Sequence, residues 1–239
     1  IIDDTPEAVV ISCFDPVRRE IARQSMEKLL DDGRIHPGRI ESTVSKVNSE
    51  MKKRIRKLGN QLALDANVSG LHQQLIRHLG RLRYRTSYGQ NMYQHSMETA
   101  HICGLLASEM KLDPVLARRI GLLHDIGKAT DQDIEGSHAI VGMELAQRYE
   151  ESPVVCNAIG AHHEEVECES LYAVLLQASD SVSSARPGAR KETLELYVRR
   201  LHKLESIADS FDGVRKSYAI QAGRELRIAV KPERVDDDS

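Results

Sequence analysis

Aromatic residues are scarce in this sequence of 239 residues, where they make up 4% and include no tryptophan. A hydrophobic core must therefore be built mainly from Leu, Ile, Val, Ala and Met. Together with abundant Glu, Lys and Arg, these residues favour helices over strands. With 41% hydrophobic residues, the chain can bury one good core, or a main domain with smaller flanking segments. The composition predicts a mainly α-helical protein.

Cysteine is also sparse, and its four positions show no CxxC or other paired spacing. Cys103 and Cys156 have apolar neighbours and are predicted to be small buried residues. The pattern does not indicate a disulfide framework, which points to a reducing compartment. No apolar run approaches the roughly 18 residues needed to span a membrane, and the first residues do not resemble a signal peptide. We therefore expect a soluble, cytoplasmic chain.

Charge is unevenly distributed, although the net charge is only -3. Between Arg39 and Arg85 there are eleven Lys or Arg residues and three acidic ones, and the rest of the chain is acidic. Such a segment suits a polyanion, because each phosphate that it neutralises releases condensed counterions. A solvated helix face has the same composition, so charge alone leaves both interpretations open.

The first part of the chain is expected to hold two segments, residues 1–36 and residues 37–90. Apolar runs at Ile1-Ile2 and Ala8–Ser12 predict strands, and a helix is expected to begin at Asp15-Pro16 and to end at Gly33. This is too little to bury a core alone, so residues 1–36 are interpreted as the second half of a small α/β module. Residues 37–90 are predicted to be a basic helical connector, with one amphipathic helix from Pro37 to Leu58 and a second stretch from Gly70 to Tyr88 that breaks at Gly80.

Residues 91–205 form the largest block, in which helical periodicity dominates. Residues 206–239 differ, because Lys216–Ala222 and Glu225–Val230 predict two short strands linked near Gly223. We therefore expect an all-helical domain followed by a small partial α/β region.

Five of the ten histidines alternate with carboxylates inside the helical block. The ordered series is His95, His124, Asp125, His138, His162, His163 and Asp180. Imidazole with carboxylate suits divalent Mn, Fe, Ni or Zn, and also admits Mg. Each residue alone has an ordinary explanation: a lone His is usually structural, Asp180 could pair with an arginine, and His138 could belong to a helix cap after Gly136-Ser137. The complete series, centred on Leu-Leu-His-Asp-Ile-Gly-Lys, is much harder to explain in that way and predicts a metal site.

The order His95, His124-Asp125, Asp180 resembles the H…HD…D pattern of the HD-domain superfamily of metal-dependent phosphohydrolases, whose scaffold is all helical. The resemblance implies that these four residues bind a first divalent ion. It also implies that Lys128 contacts the substrate phosphate, so that His124, Asp125 and Lys128 are the expected catalytic residues. A bound metal ion lowers the pKa of a water molecule and stabilises charge on phosphate oxygens, so no Ser or Cys nucleophile is needed.

Three further histidines resemble the residues that bind a second ion in dinuclear members of this superfamily: His138, His162 and His163. In those members a carboxylate in the position of Asp125 bridges the two ions. One imidazole of the His162-His163 pair could instead orient a ligand. The sequence leaves open whether one or two ions act.

Several longer motifs are similar to the bacterial ribonuclease Y family over practically the whole chain. They are Arg85–Asn91, Gly121–Ala129, Gly136–His138, Ser184–Arg190 and Tyr218–Glu225. The resemblance implies a metal-dependent endoribonuclease that cleaves single-stranded RNA and initiates mRNA decay. It further implies a homodimer and possible partners in an RNA-degradation complex.

In that family a transmembrane helix, a coiled coil and a KH domain precede the HD domain, which places the full-length protein at the cytoplasmic face of the cell membrane. Residues 1–36 correspond to the C-terminal half of the KH domain. The GxxG loop that clamps nucleic acid in KH domains would lie before Ile1. Membrane attachment and RNA affinity are therefore expected to depend on segments outside this sequence.

Two arginines beyond Asp180, Arg186 and Arg190, are close enough in sequence to the site to bind an RNA phosphate. Pairing with nearby acids is the alternative. A second basic track could lead into the helix of His95 or be a solvated helix end: Arg81, Arg83 and Arg85.

Two other functions remain open on the sequence. An HD enzyme could hydrolyse a nucleotide or a cyclic dinucleotide, although no Gly-Tyr-Pro follows His162-His163. A metal-stabilised RNA-binding module without catalysis is the second alternative, and the complete ligand series speaks against it.

Overall fold

A computed structural model describes residues 9–130, 136–186, 189, 194–220 and 225–231, and for residues 194–200 and 225 the backbone only. The chain divides into two compact units, Ile1–Ala189 and Arg190–Ser239. Helices dominate the described residues, which confirms the mainly α prediction. The division into residues 1–36, 37–90, 91–205 and 206–239 stays a prediction, as does the KH-like assignment of residues 1–36.

Nine helices and four strands occur in the described ranges. The helices are α1 (Pro16–Asp32), α2 (Pro37–Asp65), α3 (Gln73–Arg81), α4 (Met92–Glu109), α5 (Pro114–Leu123), α6 (His138–Arg148), α7 (Pro153–Ala161), α8 (Leu171–Ala185) and α9 (Leu194–Asp209). The strands are β1 (Thr86–Ser87), β2 (Gln90–Asn91), β3 (Val214–Ile220) and β4 (Glu225–Val230). Short 3-10 turns occupy Leu82–Tyr84 and Ile126–Ala129.

The predicted limits of α1 are confirmed. The Asp15 side chain accepts hydrogen bonds from the first turn, Pro16 occupies the first helical position, and Gly33 ends the helix in the left-handed conformation. The strand predicted at Ala8–Ser12 is wrong for its described part, because residues 9–12 adopt neither helix nor strand. Val9 is 53% exposed. No strand among the described residues pairs with this run, and a single strand without a hydrogen-bonded partner is not stable. The strand predicted at Ile1-Ile2 lies outside the described residues.

The amphipathic helix predicted from Pro37 to Leu58 forms, and it continues to Asp65. The break predicted at Gly80 is wrong, because α3 runs through this residue to Arg81. A Cβ atom at Gly80 would lie 1.9 Å from the carbonyl oxygen of Ile55, and one at Gly59 would lie 1.8 Å from that of Ile76. The two glycines therefore let α2 and α3 cross in close contact, a role that sequence punctuation does not reveal.

The core of the first unit lies where α4, α5, α7 and α8 pack against one another. Its largest fully buried side chains include Ile120, Leu122, Leu123, Ile159 and Leu176. Aliphatic packing thus replaces the missing aromatic residues. The β1–β2 pair is a two-stranded hairpin whose turn residues, Tyr88 and Gly89, have φ values of 48° and 79°.

The second unit pairs β3 and β4 antiparallel, in register from Ile220–Glu225 to Val214–Val230 with one irregularity near Lys216. Both strands predicted at the C-terminus are confirmed, while their link near Gly223 lies outside the described residues. Two side chains of α9 hold β3, because the Asp209 carboxylate accepts from the Ser217 amide at 2.7 Å and the Glu205 carboxylate from the Ala219 amide at 3.0 Å.

All four cysteines are free, and Cys103 and Cys156 are buried as predicted. In the described part of the chain, no helix has the length and apolar character required to cross a membrane.

Replacing Gly80 by Ala is expected to lower the free energy of unfolding by about 2 kcal/mol or more, because the new methyl group would have to push α2 and α3 apart. The matched control is Gly38→Ala, also within a helix, where the nearest atoms lie 3.9 Å from the new Cβ. There the free energy of unfolding should stay the same or rise by up to ~1 kcal/mol. Urea denaturation followed by circular dichroism measures both changes, and equal effects would refute the close-contact role of Gly80.

Candidate metal centre

The seven residues of the predicted series come together at one place in the first unit. His95 projects from α4, His124 caps the C-terminus of α5, and His162 caps that of α7. His138 is the first residue of α6, and Asp180 lies in α8. Helix ends from distant parts of the sequence thus meet at the site. Close packing supports this meeting, since a Cβ at Gly127 would lie 2.0 Å from the carbonyl oxygen of His138.

The first group consists of His95, His124 and Asp180, whose nearest ligand atoms all lie within 4.8 Å of one another. His95 Nε2 is 3.1 Å from His124 Nε2 and 3.0 Å from Asp180 Oδ1. Both histidines are buried, while Asp180 keeps 18% of its side chain exposed. Two imidazole nitrogens and a carboxylate oxygen therefore face a common point.

Backbone carbonyl groups orient two of the buried rings. Nδ1 of His124 lies 2.8 Å from the carbonyl oxygen of Gly121, and Nδ1 of His162 lies 2.5 Å from that of Ile159. A carbonyl oxygen can only accept, so Nδ1 carries the proton in both rings and Nε2 is directed into the site.

A chain of side chains orients His95 in the same way. Ser183 Oγ donates to the Glu98 carboxylate at 2.9 Å, so it must accept from Nδ1 of His95, also at 2.9 Å. Arg186 in turn donates to the same carboxylate at 3.0 Å and 2.5 Å. Sequence reasoning missed Glu98 and Ser183, although Glu98 lies one helical turn from His95 and Ser183 one turn from Asp180.

The ion pair with Glu98 is the alternative that the sequence left open for Arg186. This ion pair makes Arg186 part of the hydrogen-bonded group of side chains that orients His95. Contact of Arg186 with RNA stays a prediction, and Arg190 lies outside the described residues.

The second group consists of His138, His162 and His163, whose ligand atoms also lie within 4.8 Å of one another. His162 is buried, His138 is partly buried and His163 is exposed. The second group therefore reaches from the interior to the surface.

Asp125 lies between the two groups. Its Oδ2 atom is 3.6 Å from His95 Nε2 and 3.4 Å from His124 Nε2. Its Oδ1 atom is 3.5 Å from His138 Nε2 and 3.8 Å from His162 Nε2. One carboxylate oxygen thus faces each group, which is the arrangement that a carboxylate shared by two ions requires.

The Lys128 ammonium donates to Asp125 Oδ2 at 2.8 Å, and 20% of the Lys128 side chain remains exposed. The structure therefore places a cation at the edge of the two groups, and contact of Lys128 with a substrate phosphate stays a prediction.

The unpaired polar atoms buried in the site indicate that it fits a divalent metal ion. Asp125 Oδ1, His138 Nε2 and His162 Nε2 are buried and have no hydrogen-bond partner. Leaving a buried polar atom unsatisfied costs about 1–3 kcal/mol, and one cation at this point would satisfy all three. Imidazole and carboxylate are also the donors that first-row divalent ions prefer.

The carboxylates are held ionised. Burial alone would raise the pKa of Asp125, but the charges of His124 and Lys128 outweigh it and keep that pKa well below its ordinary value. Burial also opposes ionisation of Asp180, and there the hydrogen bond from His95 lowers the pKa.

The imidazoles divide by environment. Burial, the largest single effect, would lower the pKa of His124, but the charge and hydrogen bonding of Asp125 and the charge of Asp180 together outweigh it and raise that pKa. Burial, followed by the charge of Lys128, lowers the pKa of His138 to about 4. Burial, followed by the charge of His124, lowers the pKa of His162 to about 3. His138 and His162 are therefore neutral at physiological pH, which is the form that binds a metal.

Comparison with known families finds a match for the part of this unit that holds the site. Residues 92–185 match the model of the HD domain, which covers the first group, Asp125 and the second group. An HD domain implies a divalent metal, and the His/Asp groups described above could hold one.

The particular resemblance extends much further along the chain. The chain is 62% identical over 237 residues to ribonuclease Y of Clostridium tetani and to ribonuclease Y of Clostridium novyi. It is 61% identical over the same length to ribonuclease Y of Clostridium botulinum strain Langeland. These matches cover 99% of this chain and 45%, 47% and 46% of the respective relatives, so the chain spans about half their length. The resemblance drawn from the sequence motifs is confirmed. No solved structure matches the chain.

Saturating Mn²⁺ is expected to raise the melting temperature of the metal-free protein, because the ion binds only the folded state. At a concentration 100 times the dissociation constant the rise should be roughly 5–10 °C. Asp125→Asn should lose most of this rise, since its carboxylate faces both groups. The control His101→Ala removes an exposed imidazole from α4, the helix that also carries His95, and should keep the full rise in melting temperature. A full rise in Asp125→Asn would place the ion elsewhere.

Nitrogen-15 NMR of the imidazole rings in the metal-free protein is expected to separate the histidines at pH 6. His138 and His162 should be neutral, because their lowered pKa values lie below that pH. His124 should protonate more readily than either of them, because the neighbouring carboxylates raise its pKa. Protonated His138 and His162 rings at pH 6 would contradict the burial that the structure assigns to them.

Proposed function

We propose that this chain carries the catalytic domain of a metal-dependent endoribonuclease that hydrolyses phosphodiester bonds in single-stranded RNA. The observation that carries the proposal is the position of Asp125, with one carboxylate oxygen toward each group of histidines. A scaffold has no need for two convergent sets of metal donors around one buried acid. The non-catalytic alternative is therefore disfavoured.

The residues around Asp125 divide into two proposed ligand sets. The first set is His95, His124, Asp125 and Asp180, and the second is His138, His162, His163 and the shared Asp125. When bound, one or two divalent ions (Mn, Mg, Zn, Fe or Ni) would acidify a water molecule and offset charge on the phosphate oxygens. The Ser183–Glu98 chain keeps His95 aimed at the site, as supporting hydrogen bonds do around metal ligands.

Lys128 is proposed to bind a non-bridging oxygen of the scissile phosphate. Its ammonium already donates to Asp125 and retains further protons for a substrate oxygen. Hydrolysis forms a bond from a water oxygen to phosphorus and breaks one ester bond, and the departing oxygen takes up a proton. The cation of Lys128 favours the phosphate as negative charge builds up on its oxygens.

RNA is proposed as the substrate class on two grounds. The relatives at 61–62% identity carry the name ribonuclease Y. A second support is the outer face of α2, where exposed cations lie together: Lys52, Lys53, Arg56 and Lys57. Such a surface attracts a polyanion through counterion release, whereas a free nucleotide needs few such contacts.

The resemblance to the ribonuclease Y family implies a wider role, which we include in the proposal: initiation of mRNA decay, a homodimer, and membrane attachment through a segment outside this chain, at the cytoplasmic face. Partners in RNA degradation belong to the same proposal. These wider roles rest on the resemblance alone, because the chain spans less than half the length of this relative.

The proposal predicts internal cleavage of a 5′-labelled single-stranded RNA by the purified chain with Mn²⁺ or Mg²⁺, and none with EDTA. His124→Ala should cut at least ~100-fold more slowly, because losing a ligand should cost more than losing its supporting hydrogen bond. His101→Ala, on an exposed face of α4, should cleave at the wild-type rate.

Parallel reactions with cyclic dinucleotides and nucleoside triphosphates test the competing substrate class. Turnover of these compounds without RNA cleavage would replace the proposed function by that of a nucleotide phosphohydrolase. RNA cleavage that persists in EDTA or in His124→Ala would rule out chemistry at this metal centre.

A further inference from the structure

A groove with a volume of about 520 Å³ adjoins the candidate metal centre. It lies between the N-terminal end of α1, the C-terminal end of α3 with the segment that follows, and the turn after Asp125. We call it the basic groove, and its defining side chains are Phe14, Asp15, Arg18, Arg81, Arg85 and Lys128. Its volume falls within the range of small-molecule sites and accommodates about one nucleotide unit.

The described lining of the basic groove is strongly positive, with four cationic side chains and a single carboxylate, that of Asp15. This carboxylate is already engaged. Its Oδ1 accepts from the amide of Val17 at 2.8 Å, and its Oδ2 lies 3.6 Å from Arg81 Nη2. Arg81 is thus paired with Asp15 and Lys128 with Asp125, so Arg18 and Arg85 supply the positive charge that the groove offers to an anion.

Arg85 gives the most direct sign of a ligand. Its Nε atom is buried and has no hydrogen-bond partner. A buried guanidinium nitrogen without an acceptor is unfavourable, and a phosphate oxygen satisfies guanidinium donors well. Its neighbour Arg83 lies outside the groove and instead stands 6.0 Å from the ring centroid of Tyr93. Of the three arginines at positions 81, 83 and 85, the structure thus places the first and the last in the groove and the middle one outside it.

Phe14 lies on the wall of the basic groove with 61% of its surface exposed. Single-stranded nucleic acid is commonly held by a positive groove together with an aromatic ring on which a base stacks. The basic groove has both elements.

Lys128 connects the basic groove to the chemistry, because it lines the groove while its Nζ lies 2.8 Å from Asp125 Oδ2. We propose that the basic groove binds the RNA strand next to the scissile phosphate. Arg18, Arg81 and Arg85 would bind backbone phosphates, and Phe14 would stack on an unpaired base. This inference rests on the proposed function, and it assigns substrate-binding residues outside the HD domain match at 92–185.

Three variants and three matched controls test the basic groove. The groove variants are Arg18→Ala, Arg85→Ala and Phe14→Ala. Their controls are Arg19→Ala, next to Arg18 and also exposed; Arg83→Ala; and Phe211→Ala, the other exposed phenylalanine. Circular dichroism verifies the folding of each variant. Because Arg18 is exposed, its variant decides the question even if Arg85→Ala fails to fold.

Two measurements are made on each variant. Fluorescence anisotropy in EDTA gives the dissociation constant of a labelled single-stranded 12-mer RNA over a range of salt, and cleavage with Mn²⁺ gives kcat and KM. Each groove variant should raise the dissociation constant and KM roughly tenfold while kcat stays within about twofold. Arg18→Ala and Arg85→Ala should also lower the salt slope by about one, whereas Phe14→Ala should leave it unchanged.

Controls that bind and cleave like wild type, beside weakened groove variants, would support the basic groove. Groove variants that match their controls, in a protein that cleaves RNA, would overturn the groove assignment and leave the proposed function standing. A fall in kcat with unchanged KM would also overturn it, because the residues would then act on the metal centre. A wild-type chain that cleaves no RNA would overturn both proposals.

Discussion

The carboxylate of Asp125 is the constraint on which the centre of this protein depends. It is only 1% exposed, and imidazole nitrogens face it from four helices or helix ends. An ionised acid in an aliphatic core is unfavourable unless it is paired and hydrogen-bonded. Lys128 supplies one partner, and Oδ1 is left without one. The fold therefore brings together buried donors that could hold a cation, and binding of such an ion would couple metal affinity to stability.

Rigid neighbours make this arrangement possible. Backbone carbonyls at helix ends fix the rings of His124 and His162, and Ser183 with Glu98 fixes His95. Each of these contacts determines which ring nitrogen carries the proton and where the other one points. Mainly aliphatic side chains pack around the helices and hold their ends together, and the aromatic residues that join this core are partly buried tyrosines. The low aromatic content is compatible with a precise site because the precision comes from helix packing and ring orientation.

The exposure of the site has a direction. His95, His124 and Asp125 are buried, whereas Asp180 and Lys128 keep part of their surface in solvent. The Lys128 edge of the site continues into the basic groove. Positive charge next to the metal donors favours a polyanion that enters along the groove and presents one phosphate to the centre.

The sequence by itself determined the helical class, the limits of α1 and the two C-terminal strands, and it named the seven candidate ligands, because capping residues, periodicity and donor types are local properties. Only the tertiary structure decided how these parts meet. It showed Gly80 as a packing residue, since the atom that excludes a side chain there belongs to α2. It divided the ligands into two groups about Asp125 and revealed the support of Glu98 and Ser183, which lie 85 positions apart. It also separated Arg85 from Arg83. Such relations depend on distances between segments remote in the chain, and no local pattern encodes them.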